Sequence, residues 1–332
     1  MVTLTAEGSQ VTLVVLSYNH APFVEQALMS VAAQCRLPAR LIVVDDCSSD
    51  SSRIVIRNWL DGKSGDVVEL YHDENRGLPA SLNEALSYVE TEYLAVLADD
   101  DWMMSERLQR QEDVFISKGR DYAVVHSDMV RVDMDGVPIG PPDSAIYGSP
   151  QDESYFITGL THVSVFSATA MYRVSGLRSI GGFDEAIPME DIDIFLQLAR
   201  YFKIAYVSEV LVSKRVLADS MSMSADFFGF RAARLYAVMK HLDIPDPVLN
   251  RRVGEVTVKL ASQLYLEGRA PRDSAVDIRK GLAANASMRG AILFILASAR
   301  IPGRTAASGF NILFRQRQRL SRTLGRMQAR LG

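Results

Sequence analysis

Cysteine is nearly absent from this 332-residue chain, which has only Cys35 and Cys47. Two thiols cannot build a disulfide framework, so a reducing compartment is expected. Long apolar runs are missing too. The longest, GAILFILASA at 290–299, is about half of the roughly 20 residues a spanning helix needs. The opening MVTLTAEGSQ has neither a basic n-region nor an apolar h-region, so no signal peptide is expected. No GxGxxG and no GxxxxGK(S/T) occurs, which speaks against a dinucleotide-binding dehydrogenase and a P-loop enzyme. There is no GxSxG elbow. The histidines, His20, His72, His126, His162 and His241, show no ligand spacing, which argues against a zinc site. Acidic residues stop at Asp277. The stretch beyond it holds eleven Lys or Arg, while the part up to Asp277 has 25 basic against 40 acidic groups. An acidic body with a purely basic tail suggests that the tail meets something anionic.

What is present is an ordinary globular composition, 48% hydrophobic and 23% charged, long enough for more than one minimal domain. VTLVVLSYN (11–19) reads as a strand buried on both faces and running into a polar loop. APFVEQALMSVAAQ follows, with Pro22 suited to a first helical turn and Phe23, Ala27 and Val31 at helical spacing. ARLIVVDDCSSD (39–50) repeats the pattern, and a helix is expected at 51–60. VVELYHDEN and PASLNEALSYVE give a third strand and helix, and EYLAVLADDD a fourth strand. This alternation predicts an α/β domain with a mostly parallel sheet, whose polar strand ends are where such sheets bind ligands. Further on, YAVVHSDMVRV and KIAYVSEVLVSKRV read as strands, DGVPIGPPDS as a loop and EDIDIFLQLARY as a helix. From about 225 the reading is helical, which predicts a catalytic domain over 1–224 and a helical C-terminal region over 225–332.

Three acidic stretches carry candidate chemistry. ADDD (98–101) ends an apolar strand. Its side chains alternate in direction, so one or two suit a divalent metal and another a polar ligand group. A solvated acidic turn or helix cap is the other reading. Asp45 and Asp46 end a second buried strand and could accept hydrogen bonds from a base N–H or a ribose hydroxyl, or simply cap a helix with Ser48, Ser49 and Asp50. IGGFDEAIPMEDIDIF places Glu190 and Asp191 in or near the first turn of a helix, where acids offset the macrodipole and a carboxylate facing a cleft can act as general base.

In order, VTLVVLSYNHAPFVEQALMSVAAQ, LIVVDDCSSDSS, NRGLPASLNEAL, EYLAVLADDDWMMSERLQRQ, YRVSGLRSIGGFDEAIPMEDIDIFLQLA and VLVSKRV resemble the family-2 glycosyltransferases of GT-A fold. The resemblance covers roughly residues 10–220. It implies an inverting hexosyl or deoxyhexosyl transfer from a nucleoside-diphosphate sugar. Ser17, Tyr18, Asp46, Asn75, Gly77, Asp99 and Arg215 would meet the nucleotide sugar, with Asn83 in the same motif. Asp100, with Asp101 beside it, would bind Mg²⁺ or Mn²⁺. Asp191 would be the general base, with Glu190 adjacent, and Gly182, Phe183, Asp184 and Glu190 would border the acceptor. UDP- or dTDP-linked donors fit, because Asp46 suits an imide N–H. Two positions depart from the family's usual pattern. Ala98 stands where an aspartate is common, and Leu217 where some members carry a histidine. A non-catalytic nucleotide-sugar-binding or scaffold subunit on the same fold is the competing reading.

In the tail, Leu313, Phe314, Leu320, Leu324 and Met327 recur at roughly helical intervals between arginines. That pattern suits an interfacial helix on anionic lipid, or a helix packed on the catalytic domain or on a second subunit of an oligomer. The first reading implies a lipid-linked glycan acceptor in a bacterial surface-polysaccharide pathway and a cytoplasmic protein held peripherally on the inner face of the cell membrane. Nucleic acid is not expected as a partner, since the acidic body would repel it.

Overall fold

The computed structural model describes residues 2–147, 155–161, 165–187, 189–217 and 227–307. His162, Pro188 and the basic stretch from Leu313 to Arg330 lie outside them. The chain divides into two compact units, Met1–Ala225 and Asp226–Gly332.

The first unit is built on an eight-stranded sheet. The first four apolar runs expected as strands are β1 (Val11–Ser17), β2 (Arg40–Asp45), β3 (Val67–Tyr71) and β4 (Tyr93–Ala98), and the pairings among these four are parallel. A two-residue β5 (Trp102–Met103) is followed by the long β6 (Tyr122–Val132), the short β7 (Ala170–Arg173) and β8 (Lys203–Arg215). The spatial order is β3-β2-β1-β4-β7-β6-β8-β5. Here β7 is antiparallel to both β4 and β6, β8 is parallel to β6, and β5 runs antiparallel along β8.

Both faces of the sheet are covered, which is why β1 reads as a continuous apolar run. Val11, Leu13 and Val15 face one core with α1 (Val24–Ala32), α2 (Ser52–Leu60) and α4 (Arg107–Lys118). Val14 and Leu16 face the other, with α3 (Leu78–Ser87), α7 (Val174–Ser179) and α8 (Glu190–Tyr201). Two short helices, α5 (Asp143–Tyr147) and α6 (Tyr155–Thr161), complete the described part of this unit. The register places Ser17 opposite Asp45 and Leu16 opposite Ala98, so three parallel strands deliver their polar C-terminal residues to one edge. Pro22 falls just ahead of α1, in the turn that leads into it.

The sequence reading did not assign α4, β7, α7 or β5 as elements. In α4 the buried face is polar, with Arg107, Gln111 and Glu112 buried beside Leu108 and Phe115. Arg107 Nη2 donates to the carbonyls of Val96 and Ala170, each at 3.1 Å, and Gln111 Nε2 donates to those of Val125 and Thr169 at 3.0 and 2.7 Å.

The second unit comprises α9 (Phe227–Met239), α10 (Pro247–Glu267), α11 (Pro271–Ala284) and α12 (Met288–Ser298). Asp246 caps α10 by accepting from the Val248 and Leu249 N–H groups, and Gly268 ends it in a left-handed conformation. α10 and α11 meet at glycine: a Cβ on Gly254 would lie 2.8 Å from the Gly281 carbonyl oxygen. Among the described residues, no helix is long and apolar enough to cross a membrane.

Replacing Arg107 with Met should leave two buried carbonyls unpaired and cost about 3 kcal/mol of stability. Urea unfolding of the two proteins measures it.

Candidate functional site

Asp99, Asp100 and Asp101 follow β4 directly, and all three are buried. They separate by direction. Asp99 Oδ1 lies 2.7 Å from His20 Nδ1, and its Oδ2 accepts the Tyr18 N–H at 3.2 Å, so it ties the loop after β1 to the end of β4. Asp100 points to the same side, and ligand atoms of His20, Asp99 and Asp100 all fall within 4.8 Å of one another. Asp101 turns away. Its Oδ1 accepts the Arg215 N–H at 2.8 Å and its Oδ2 lies 3.6 Å from Lys214 Nζ. Among the described residues, Asp99 and Asp100 gather with His20 into a group able to hold a cation, and Asp101 is not part of it. The two carboxylates are donors that suit Mg²⁺ or Mn²⁺, and the imidazole is the softer donor of the three.

Arg215 and Lys214 sit side by side on β8 and point to opposite faces. Arg215 is buried inside the protein. Its Nε donates to the Asp100 carbonyl at 3.1 Å, Nη1 to the carbonyls of Asp133 and Met134, and Nη2 to Gln26 Oε1 at 2.7 Å. The guanidinium lies over the Phe23 ring, 4.3 Å from its centroid, with Trp102 at 5.2 Å. The cation that faces the acids is Lys214, whose pKa is raised by Asp101 first and then by Asp100, Asp191 and Glu190.

That list of partners brings the triplet and the start of α8 to one place. Burial pushes the Asp191 carboxyl up to about 8, with the neighbouring Glu190 adding to the effect and Lys214 opposing it. Burial likewise raises Glu190, against a hydrogen bond from Ser167. Asp101 is pushed up to about 6 by burial, and Asp100 is raised for the same reason.

Asp46 directly follows β2 and faces the loop between β3 and α3. Its Oδ1 accepts the Arg76 N–H at 2.8 Å and lies 2.7 Å from His72 Nδ1, and its Oδ2 accepts the Gly77 N–H at 2.8 Å. Asn75 Oδ1 also accepts from the Gly77 N–H, at 3.1 Å. Asp45, fully buried, takes a fork from Arg53 at 3.0 and 2.9 Å. Arg53 and Arg57 both lie over the Tyr71 ring. Ser17 is buried with no hydrogen-bond partner for its hydroxyl, while the Tyr18 ring is exposed.

The Gly-Gly turn ahead of α8 is held by Asn83. Its Oδ1 accepts the Phe183 N–H at 2.9 Å and its Nδ2 donates to the Phe183 carbonyl at 2.8 Å. Gly182 has φ +83°, and a Cβ there would lie 2.6 Å from Asn83 Oδ1. Phe183 is buried edge-on against Tyr172, and Asp184 Oδ1 accepts the Ala186 N–H at 2.9 Å. Sequence reasoning missed His20 and Lys214. Both stand inside motifs it had picked out, next to Asn19 and Arg215, and their roles follow from which face they take.

Comparison with known proteins gives this geometry a family: the description Glycosyl transferase family 2 matches residues 12–181. The chain belongs to that family. The candidate teichuronic acid biosynthesis glycosyltransferase TuaG of Bacillus subtilis is 24% identical over 219 residues, covering 64% of this chain and 81% of TuaG. The chain spans about half, 45%, of the length of uncharacterised glycosyltransferases of Rickettsia conorii and Rickettsia felis that it also matches. Among solved structures, S. aureus TarS 1-349 in complex with UDP superposes with a TM-score of 0.63 at 19% identity, covering 91% of each chain. The mannosyltransferase PcManGT of Pyrobaculum calidifontis, in complex with GDP-Man and Mn²⁺, gives 0.54 at 19% identity, covering 90% of this chain and 83% of that one. The fold is therefore GT-A, followed by a helical C-terminal region.

The raised carboxyls set a pH dependence of stability. The unfolded value for aspartate is 3.8, and Asp191 in the folded protein is near 8. A carboxyl raised on folding contributes stability below its unfolded pKa and loses it as pH rises through its folded pKa. Without divalent cations the melting temperature should fall between pH 4 and pH 8, through the windows of Asp101 and then Asp191. Asp191→Asn should flatten the upper part of that fall, measured by scanning calorimetry.

Proposed function

We propose that the protein catalyses inverting transfer of a sugar from a nucleoside-diphosphate sugar, UDP- or dTDP-linked, to a hydroxyl of a lipid-linked glycan in surface-polysaccharide synthesis. The observation that carries the reading is the convergence of the aspartate triplet and the first turn of α8 around Lys214. A donor-binding edge and a candidate base are thereby within electrostatic reach of one ammonium group.

Asp46 and the Asn75–Gly77 loop are assigned to the base, with Ser17 and Tyr18 beside the nucleotide. Asp46 is held by three contacts to the loop between β3 and α3, which presets the carboxylate and leaves capacity for an imide N–H. Asp99 and Asp100, with His20, would hold Mg²⁺ or Mn²⁺. Such an ion, when bound, supplies positive charge against the donor diphosphate. Lys214 adds a second positive charge there. Arg215 keeps the triplet loop in place from behind.

Asp191 is the assigned base. Its raised pKa makes the carboxylate a better proton acceptor than an ordinary aspartate. The acceptor oxygen forms a bond to the anomeric carbon as the bond to the diphosphate oxygen breaks. The acceptor proton passes to an Asp191 carboxylate oxygen, and the nucleoside diphosphate leaves. One displacement inverts the anomeric configuration. Glu190 and the Gly182–Asp184 turn border the acceptor side, where Asn83 fixes the turn. The acceptor class is supported by the acid-free basic sequence after Asp277 and by the kind of pathway that TuaG is named for. The same basic sequence supports peripheral attachment to anionic membrane.

Nucleoside diphosphate release across a panel of sugar nucleotides is the decisive measurement. Asp191→Asn and Asp100→Ala should each lower kcat by about 10²–10⁴-fold in folded protein. Full activity in both variants would sink the assignment, and nucleotide binding without turnover of any acceptor would point to a binding subunit. The acid limb of the wild-type rate profile should lie well above an ordinary aspartate value and disappear in Asp191→Asn.

A further inference from the structure

Helix α12 has no polar face. Every residue from Gly290 to Ala297 is apolar, and the polar residues of the helix, Arg289 and Ser298, stand at its two ends. One side is used inside the C-terminal unit, where Gly290, Leu293 and Ala297 are buried. The opposite side is bare: Met288 is 84% exposed, Ile292 44% and Ile295 63%. Those three, at helical spacing with Ala299, form one stripe about half a turn of the wheel from the buried residues. A surface helix normally carries polar residues on that side, and a contiguous exposed apolar stripe marks a surface that is covered in use.

We infer that the outer face of α12 is a membrane-contact surface that lies in the interface of an anionic bilayer, with Met288, Ile292 and Ile295 among the acyl chains. The charges around it select this partner. Arg289 flanks the first turn, Arg300 and Arg304 follow the last, all three are exposed, and no acidic residue occurs after Asp277. Arginines rimming an apolar stripe match anionic headgroups above an acyl region. Two copies meeting face to face would instead bring the same basic rim against itself. Nucleic acid would use the rim and leave the stripe in water. At eleven residues the helix is about 16 Å long, roughly half the hydrocarbon thickness, so it lies along the surface and does not cross it. The inference refines the proposed lipid-linked acceptor, and rests on that reading only for its purpose: it places the contact on α12 within the folded C-terminal unit.

The test is flotation of the full chain with vesicles of phosphatidylcholine alone or with a third phosphatidylglycerol. Nucleoside diphosphate release is measured in the same samples. The wild type should float with the anionic vesicles. Ile292→Glu/Ile295→Glu should weaken that partition by about a hundredfold, because two buried aliphatic side chains are lost and two negative charges added. Donor turnover in solution should not change. Met288→Glu should give a smaller loss in the same direction, which guards against a folding defect in the double variant. Equal flotation of wild type and double variant would overturn the inference, as would a wild type that ignores anionic vesicles. A wild-type dimer dissociated by the double substitution would assign the face to a second copy and overturn it too. Absence of turnover with flotation intact would count against the transferase reading and leave the contact surface standing.

Discussion

Asp99, Asp100 and Asp101 are buried together where β4 ends, and like charges out of water repel at a cost that grows as the dielectric falls. The surrounding structure answers that repulsion side chain by side chain. His20 takes Asp99, Lys214 and the Arg215 N–H take Asp101, and Arg107 stands beneath as a fully buried cation whose pKa burial lowers to about 10 against the opposing pull of Asp101. Desolvation still dominates for Asp100 and Asp101, whose carboxyls remain raised. The edge of the sheet is therefore a place of unspent demand for positive charge, met within the chain from three places, the loop after β1, α4 and β8.

Much of this edge was readable from the chain. Alternating apolar strands and helices located β1 to β4, and their two-sided burial explains the unbroken runs of valine and leucine. The acidic strand ends and the acidic start of α8 stood out because carboxylates are conspicuous after such runs. The resemblance across 10–220 and the family match across 12–181 share the motifs up to the Gly-Gly turn, and the acidic start of α8 and VLVSKRV lie beyond the matched range.

What could not be read shares a physical cause. Helix α4 buries Arg107, Gln111 and Glu112, so its inward face lacks the apolar period that betrays a helix. Strand β7 is four residues long, too short to show a pattern. Arg215 was expected to meet the nucleotide sugar, yet strand alternation gives the acids to Lys214 and sends Arg215 beneath the loop. Adjacent basic residues look equivalent in a sequence, and only the strand's phase distinguishes them. In α12 the uniform apolar run gave no hint of which side would pack and which would stay bare.

The sheet has a seam. Only three residue pairs join β4 to β7 and three join β7 to β6, so the parallel half is sewn to the half that carries Lys214 by one short strand, with the pairing of β5 to β8 just after the triplet as a second stitch. Arg107 and Gln111 reinforce it, reaching from α4 to carbonyls on β4, β6 and the entry to β7. Mechanically the first unit is two plates fastened by a polar rivet. The spacing between the carboxylates of the triplet and their ammonium partner then depends on how firmly that rivet and the β5–β8 pairing hold, at points beneath the acids themselves.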